Sequence, residues 1–170
     1  MNLKTKLIPF STTLFIIALD QITKFLVVKN IELYSVKFSF FGDFLRIVHV
    51  RNKAIAFSIG HTLPEEIKAI TFSVLPFIML IILIVYILRT NDITMLQRWV
   101  LAGIIGGGFG NLIDRFFRPA GVVDFIDVKF FGIFGLERWP TFNIADSSIV
   151  ICGILLFISL FLPGKKLNKN

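Results

Sequence analysis

Four aspartates carry the chemistry this chain could perform: Asp20, Asp114, Asp124 and Asp146. Two carboxylates brought close together cannot both ionise cheaply, so one of them keeps a proton. The charged member can then take a proton from water while the protonated member polarises a carbonyl, the two roles that peptide hydrolysis needs. Asp20 has Lys24 four residues on, on the same face of a helix, which reads as an ion pair or as a substrate contact. Asp114 is followed directly by Arg115, where a structural pairing is again open. Asp146 has no cation within one helical turn, and Asp124 lies between Val123 and Phe125, so these two need another explanation. From spacing alone, a hydrolytic pair, a proton relay and a structural polar cluster are all available to Asp124 and Asp146.

Other chemistries lack their residues. His49 and His61 stand outside any H-E-x-x-H and read as surface or interface side chains rather than ligands. No G-x-S-x-G supplies a serine nucleophile. Gly106-Gly107-Gly108-Phe109-Gly110 looks like a phosphate loop but lacks the following Lys-Ser/Thr and lies in an apolar run. Its Gly103/Gly107 and Gly106/Gly110 spacings predict close helix packing in lipid. Cys152, the single cysteine, excludes an intramolecular disulfide and reads as a small packing residue.

The elements that must position these aspartates are apolar. Of 170 residues 55% are hydrophobic, 20 are phenylalanine, and the mean hydropathy is +0.81, which excludes an ordinary soluble domain and disorder. Four runs predict membrane-spanning helices: Leu7 to Val28, Ile70 to Leu88, residues 96–115 around a core of Trp99 to Ile113, and Ile144 to Leu162, stopped by Pro163-Gly164. The first run lacks an A-x-A cleavage site and carries charges in its distal half, so a retained helix is expected rather than a signal peptide. The net charge of +7 is spread over span ends and loops, which points to anionic lipid headgroups and not to nucleic acid. Lys and Arg are denser in the short segments flanking the spans, so both termini are expected in the cytoplasm.

Between the first two spans, Val36, Phe38 and Phe40 alternate with polar residues, Gly42-Asp43 makes a turn, and Ile47-Val48-His49-Val50 follows. This predicts a small hairpin or sheet. Thr62-Leu63-Pro64-Glu65 resembles a capping box opening a short interfacial helix. The loop from Phe116 to Thr141 contains the strand-like Val122-Val123-Asp124-Phe125-Ile126. Such aromatic loops suit a platform at headgroup level. The expected fold is therefore one domain, residues 1–170: an all-α membrane protein, a four-transmembrane-helix bundle with a small β platform outside the cytoplasm. Helices threading a membrane alternate in direction, so Asp20, Asp114, Asp124 and Asp146 are all expected near one face.

Several motifs resemble those of the lipoprotein signal peptidases, also called signal peptidase II, a family of bacterial membrane aspartic proteases. Asp20-Gln21-Ile22-Thr23-Lys24 resembles that family's D-x-x-[ST]-K, and Gly110-Asn111-Leu112-Ile113-Asp114-Arg115 its G-N-x-x-D-R. Gly121-Val122-Val123-Asp124-Phe125 resembles G-x-V-D-[FY], and Phe142-Asn143-Ile144-Ala145-Asp146 resembles F-N-x-A-D. One block departs: the family's N-x-G-x-A-F reads Asn52-Lys53-Ala54-Ile55-Ala56-Phe57, with alanine in the glycine position. The resemblance implies a catalytic dyad of Asp124 and Asp146. It implies that Asn52, Asn111, Asp114, Arg115 and Asn143 line and orient the site, with Asp20 and Lys24 supporting it. It further implies cleavage of diacylglyceryl-modified prolipoproteins just before the lipidated cysteine, no metal or organic cofactor, and inhibition by globomycin-type peptides. The implied location is the inner (cytoplasmic) membrane with the site at its outer face, and four helices could complete a bundle as a monomer.

A proton-coupled transporter or channel subunit is the rival from another class. It would place its charges near the midplane, whereas these aspartates favour one face. A non-enzymatic assembly subunit would use the glycine-rich third span as its contact. Neither rival accounts for four motif blocks in order.

Overall fold

A computed structural model describes residues 1–52, 64, 67 and 69–161. Along the chain lie α1 (Leu3–Leu7), α2 (Phe10–Asn30), β1 (Val36–Phe40) and β2 (Leu45–Asn52). A π-helical turn (Ile70–Val74) then leads into α3 (Leu75–Arg89), followed by α4 (Met95–Phe117), β3 (Val122–Ile133), β4 (Leu136–Arg138) and α5 (Ile144–Ser159). Three stretches, Leu3–Asn30, Ile70–Arg89 and Met95–Phe117, are long and apolar enough to cross a membrane. The fourth expected span is also helical, but α5 has 16 described residues, about 24 Å against a hydrocarbon core of about 30 Å. The Thr62–Glu65 cap with its short helix, the Ala54 block, His61 and the Pro163-Gly164 stop lie outside the described residues, apart from Asn52 and Pro64.

Helix α2 is amphipathic in the sense opposite to a soluble helix. Its buried residues are Thr13, Asp20, Lys24 and Val27, a stripe at helical spacing, while Leu14, Phe15, Ile22 and Phe25 point outward. Outward apolar side chains and an inward polar stripe are what lipid as a solvent selects. Helix α4 occupies the centre, and its glycines are required there. A Cβ on Gly106 would sit 3.1 Å from the Thr13 backbone, one on Gly107 would collide with the Ala145 carbonyl, and one on Gly108 would press on Leu80. Three neighbouring helices thus approach one backbone, as the glycine spacing predicted. Thr13 Oγ1 donates to the Ala102 carbonyl at 2.7 Å and Ser148 Oγ to that of Gly103 at 3.0 Å, adding interhelical bonds along the same seam.

The opposite end is closed by helix-terminal chemistry. Thr94 and Gln97 form a capping box at the start of α4. Fully buried Arg98 donates to the carbonyls of Ile87 at 2.5 Å and Thr90 at 2.7 Å, and Lys6 Nζ donates to that of Leu88 at 2.8 Å. Two cations therefore satisfy the exposed carbonyls and negative dipole end of α3.

The small hairpin or sheet that the sequence suggested is a sheet, and it takes in the strand-like stretch 122–126 as well. Four antiparallel strands run in the order β1-β2-β3-β4, and β3 has 12 residues. Ile133 pairs with Leu136, so Phe134-Gly135 alone makes the β3–β4 turn, both residues at positive φ (54° and 76°), as a primed hairpin turn requires. Val27 and Ile31 of α2 pack with Val123 and Phe125 of β3, fixing the sheet to the helix ends. Phe142 bridges to Ile126, which brings the start of α5 against β3. His49, expected at the surface or an interface, is 5% exposed, and its Nδ1 meets the Ile31 carbonyl at 2.9 Å where α2 hands over to the sheet.

Candidate active site

Asp146 is placed by the first turn of α5. Asn143 is the N-cap: its Oδ1 accepts from Asp146 N at 3.0 Å, and its own backbone N donates to Asp146 Oδ2 at 3.1 Å. This reciprocal box needs an Asn, Ser, Thr or Asp followed three residues later by an acceptor, and Asn143-x-x-Asp146 supplies both. The Asn143 side chain then reaches across to the strand. Its Nδ2 donates to Asp124 Oδ1 at 2.7 Å, with Asn111 Oδ1 at 3.0 Å also in range. One residue therefore touches both carboxylates. Asn52 Nδ2 donates to the other Asp124 oxygen at 3.0 Å, and Asn111 Nδ2 to Asp146 Oδ1 at 2.7 Å. Asp124 is 3% exposed, whereas Asp146 is half-buried and open to solvent on one side.

Behind this layer sits a buried ionic one. Lys24 Nζ meets Asp20 Oδ2 at 2.9 Å, Asp114 Oδ2 at 3.2 Å and Asn111 Oδ1 at 3.0 Å; Lys24, Asp20 and Asp114 are fully buried. Asp20 Oδ1 accepts from Ala145 N at 3.0 Å, and Asp114 Oδ2 accepts from Val123 N at 3.0 Å. The ion cluster thus holds the residue before Asp146 and the residue before Asp124. Its charges are desolvated, which is tolerable only because each carboxylate also receives N–H donors.

All nine residues singled out from sequence and resemblance lie at this end of the molecule. Arg115 does so with its guanidinium 5.6 Å from the centre of the Phe72 ring and within electrostatic reach of Asp124, Asp146 and Asp114. Two residues were missed. Gln21 Nε2 donates to Asp20 at 3.0 Å, the Gly110 carbonyl at 3.0 Å and Asp114 at 3.2 Å. Arg118 pairs with Asp114 one helical turn on. The i, i+4 rule that linked Asp20 to Lys24 would have found Arg118, whereas adjacency in sequence drew attention to Arg115. Gln21 gave no such signal. Among the described residues, no three His, Cys, Asp or Glu side chains are grouped to hold a metal ion.

The Asp124 carboxyl is raised to about 7, first by burial and then by the neighbouring Asp146 charge, against the opposing pull of the Asn52 and Asn143 amides and of Lys24. An unfolded aspartate titrates near ~3.9. Between those values the folded chain keeps a proton that the unfolded chain has lost, so this group's contribution to stability falls as pH rises from about 4 to about 7 and then levels off. Thermal unfolding in detergent across this range should show the decline, and Asp124→Asn should flatten it. An unchanged slope in the variant would place the titration elsewhere.

A cleft of about 310 Å³ opens on the sheet beside Val50, the register partner of Asp124, lined by Tyr34, Val48, Asp127, Arg138 and Trp139 among others. Residues 12–162 match the family model described as signal peptidase (SPase) II. The chain is 48% identical over 167 residues to a lipoprotein signal peptidase of Treponema pallidum (strain Nichols), covering 98% of this chain and 90% of that one. It is 53% identical over 173 residues to that of Borrelia hermsii (strain HS1 / DAH), covering 100% and 98%. A solved bacterial membrane enzyme, determined by the in meso method at 2.3 Å, superposes with a TM-score of 0.75 at 29% identity, covering 95% of this chain and 93% of that one. On these matches, and with helices fit to cross a bilayer, the chain belongs to the signal peptidase II family and is a membrane-embedded protease.

Proposed function

We propose that this protein is an aspartic endopeptidase that removes the signal peptide from diacylglyceryl-modified prolipoproteins, cutting before the lipidated cysteine with Asp124 and Asp146. The observation that carries the reading is Asn143, which hydrogen-bonds both carboxylates and so holds them as a pair. Asp124, the more buried and the harder to ionise, holds the shared proton and donates it toward the scissile carbonyl. Asp146, open to solvent, takes a proton from the attacking water. The water oxygen bonds to the carbonyl carbon. Collapse of the tetrahedral adduct then breaks the C–N bond as a proton passes to the leaving amine. Asn52, Asn111 and Asn143 keep the carboxylates aimed, while Asp20, Lys24, Asp114 and Arg115 hold the helix and strand ends that carry them. No metal or organic cofactor enters this scheme.

In this reading α2, α3, α4 and α5 all span the bilayer as a monomeric bundle in the inner membrane, with both termini cytoplasmic. The dyad then lies at the outer helix ends, where the substrate's acyl chains can stay in lipid while its peptide bond meets water. The cleft beside Val50 would receive the peptide near the scissile bond, and globomycin-type peptides would compete there. The test is cleavage in lipid vesicles. A diacylglyceryl-modified prolipoprotein should be cut to a product beginning at the lipidated cysteine, and the same precursor without the lipid should stay intact. No cleavage of the lipidated precursor would refute the activity; equal cleavage of both would refute lipid recognition.

A further inference from the structure

The far end of the sheet presents an apolar surface that none of the described residues covers. Phe41, Phe131 and Phe134 are 86%, 65% and 89% exposed, and Phe38, Phe40 and Phe44 beside them are each more than 40% exposed. The two hairpin turns form one unit: Phe44 and Phe131 stack at 6.1 Å, and Lys129 N donates to the Phe44 carbonyl at 2.8 Å. The three most prominent rings share a backbone peculiarity. Each precedes a glycine, and each sits at a positive φ of 53° to 55°, a region bulky side chains seldom occupy. The same Phe-Gly pair thus recurs three times where Asn-Gly or Asp-Gly would fit the backbone with less strain. A contiguous aromatic patch of this kind on a soluble surface would be an aggregation site.

We infer that Phe41, Phe131 and Phe134 insert into the bilayer, anchoring the sheet edge-down in the headgroup–acyl boundary. Three features favour lipid as the occupant. The sheet is packed on the end of α2 through Val27, Ile31, Val123 and Phe125, so it starts at the level where the membrane ends. The turn carboxylate Asp43 is neutralised by Lys129 at 2.9 Å, Arg46 at 3.1 Å and Arg138 at 3.7 Å, which removes that anion from the patch and leaves Glu137 as the exposed carboxylate beside it. Lys129 Nζ also lies 5.7 Å from the centre of the Phe131 ring, an arrangement that puts a cation at headgroup height above an inserted aromatic. Lys37, Arg46, Lys129 and Arg138 exceed Asp43, Asp127 and Glu137 by one charge, so insertion is driven by the rings and persists in zwitterionic lipid.

This inference rests on the membrane location of the chain and is independent of the peptidase reading. It can be tested with a nitroxide at Phe41→Cys, Phe131→Cys or Phe134→Cys in a Cys152→Ala background, in phosphatidylcholine vesicles. Asn91→Cys, in the exposed turn before α4, serves as the aqueous reference. Collisions with a water-soluble relaxation agent should be roughly tenfold rarer at the three sites than at the reference, with oxygen collisions raised. Collision rates equal to the reference would overturn the inference, and so would protection from both agents, which would mean that a protein covers the patch. A second measurement leaves the three phenylalanines in place. Trp139 packs on Phe130 at a ring distance of 5.0 Å, and in Trp99→Phe its fluorescence should be quenched by lipid brominated high on the acyl chain. Unquenched emission would also overturn the inference.

Discussion

Replacing Asp124 or Asp146 by asparagine is expected to lower kcat for prolipoprotein cleavage by about 10²–10⁴-fold, with the double variant little worse than either single one. The near-equality follows from the proposed division of labour: a proton donor without its base, or a base without its donor, leaves the same half-mechanism. The two variants should differ in stability. Asp124 is buried beside the Asp146 charge and costs the fold free energy once it ionises, so Asp124→Asn should unfold no earlier than the parent above about pH 7. Asn52, half-buried, can turn its amide to suit the new side chain. Asp146→Asn changes the acceptor of the Asn143 capping box and should cost a modest part of it, about 0.5–1 kcal/mol. Cleavage assays and thermal unfolding on the same preparations check both. A variant that keeps parental kcat removes that residue from the dyad.

The second large effect is expected at Lys24. Lys24→Met removes the one ammonium that Asp20 and Asp114 share, leaving fully buried Asp20 to be neutralised by protonation or by distortion and Asp114 with Arg118 as its cation. Breaking a buried pair by removing one partner typically costs about 3–5 kcal/mol, and here one cation serves two anions. The replacement also takes a donor from Asn111 Oδ1, so kcat should fall along with stability. The triple change Asp20→Asn/Lys24→Met/Asp114→Asn should recover part of the lost stability, since neutral amides can still accept from Ala145 N and Val123 N. Denaturation of the three proteins in one detergent decides the matter. A loss below about 0.5 kcal/mol for Lys24→Met would mean that packing, and not this cluster, supports the site.

Much of this arrangement was legible in the sequence because the membrane simplifies the reading. Apolar runs of about twenty residues gave the helices, and the alternation of spans placed Asp20, Asp114, Asp124 and Asp146 at one end before any contact was known. Gly103, Gly106, Gly107 and Gly110 announced close approach, and it is found. What stayed hidden depended on partners far apart in the chain. Asn143 and Asn111 meet across 32 residues, and no periodicity connects them, so their place in one site came only from the motifs of a resembling family. The strand-like stretch read from sequence ends at Ile126, just before the charges of Asp127 and Lys129. Arg138 and Asp43 take them up, at 2.6 and 2.9 Å, and the strand continues. His49 could be read only as a surface or interface imidazole because nothing in its neighbours reveals that the Ile31 carbonyl needs a partner there.

Under the proposed mechanism, the double attachment of Asn143 ties chemical competence to secondary structure. The atoms that begin α5 are the same atoms that space the two acids, so the separation is set by a hydrogen-bonded ring in a helix's first turn and not by the slack of a loop. Fraying of that turn would therefore switch the enzyme off before the bundle loosened anywhere else, and amide exchange at Asp146 would report the fraction of molecules able to react. A peptidase embedded among the cell's own membrane proteins would in this way be active only in copies whose last helix has closed.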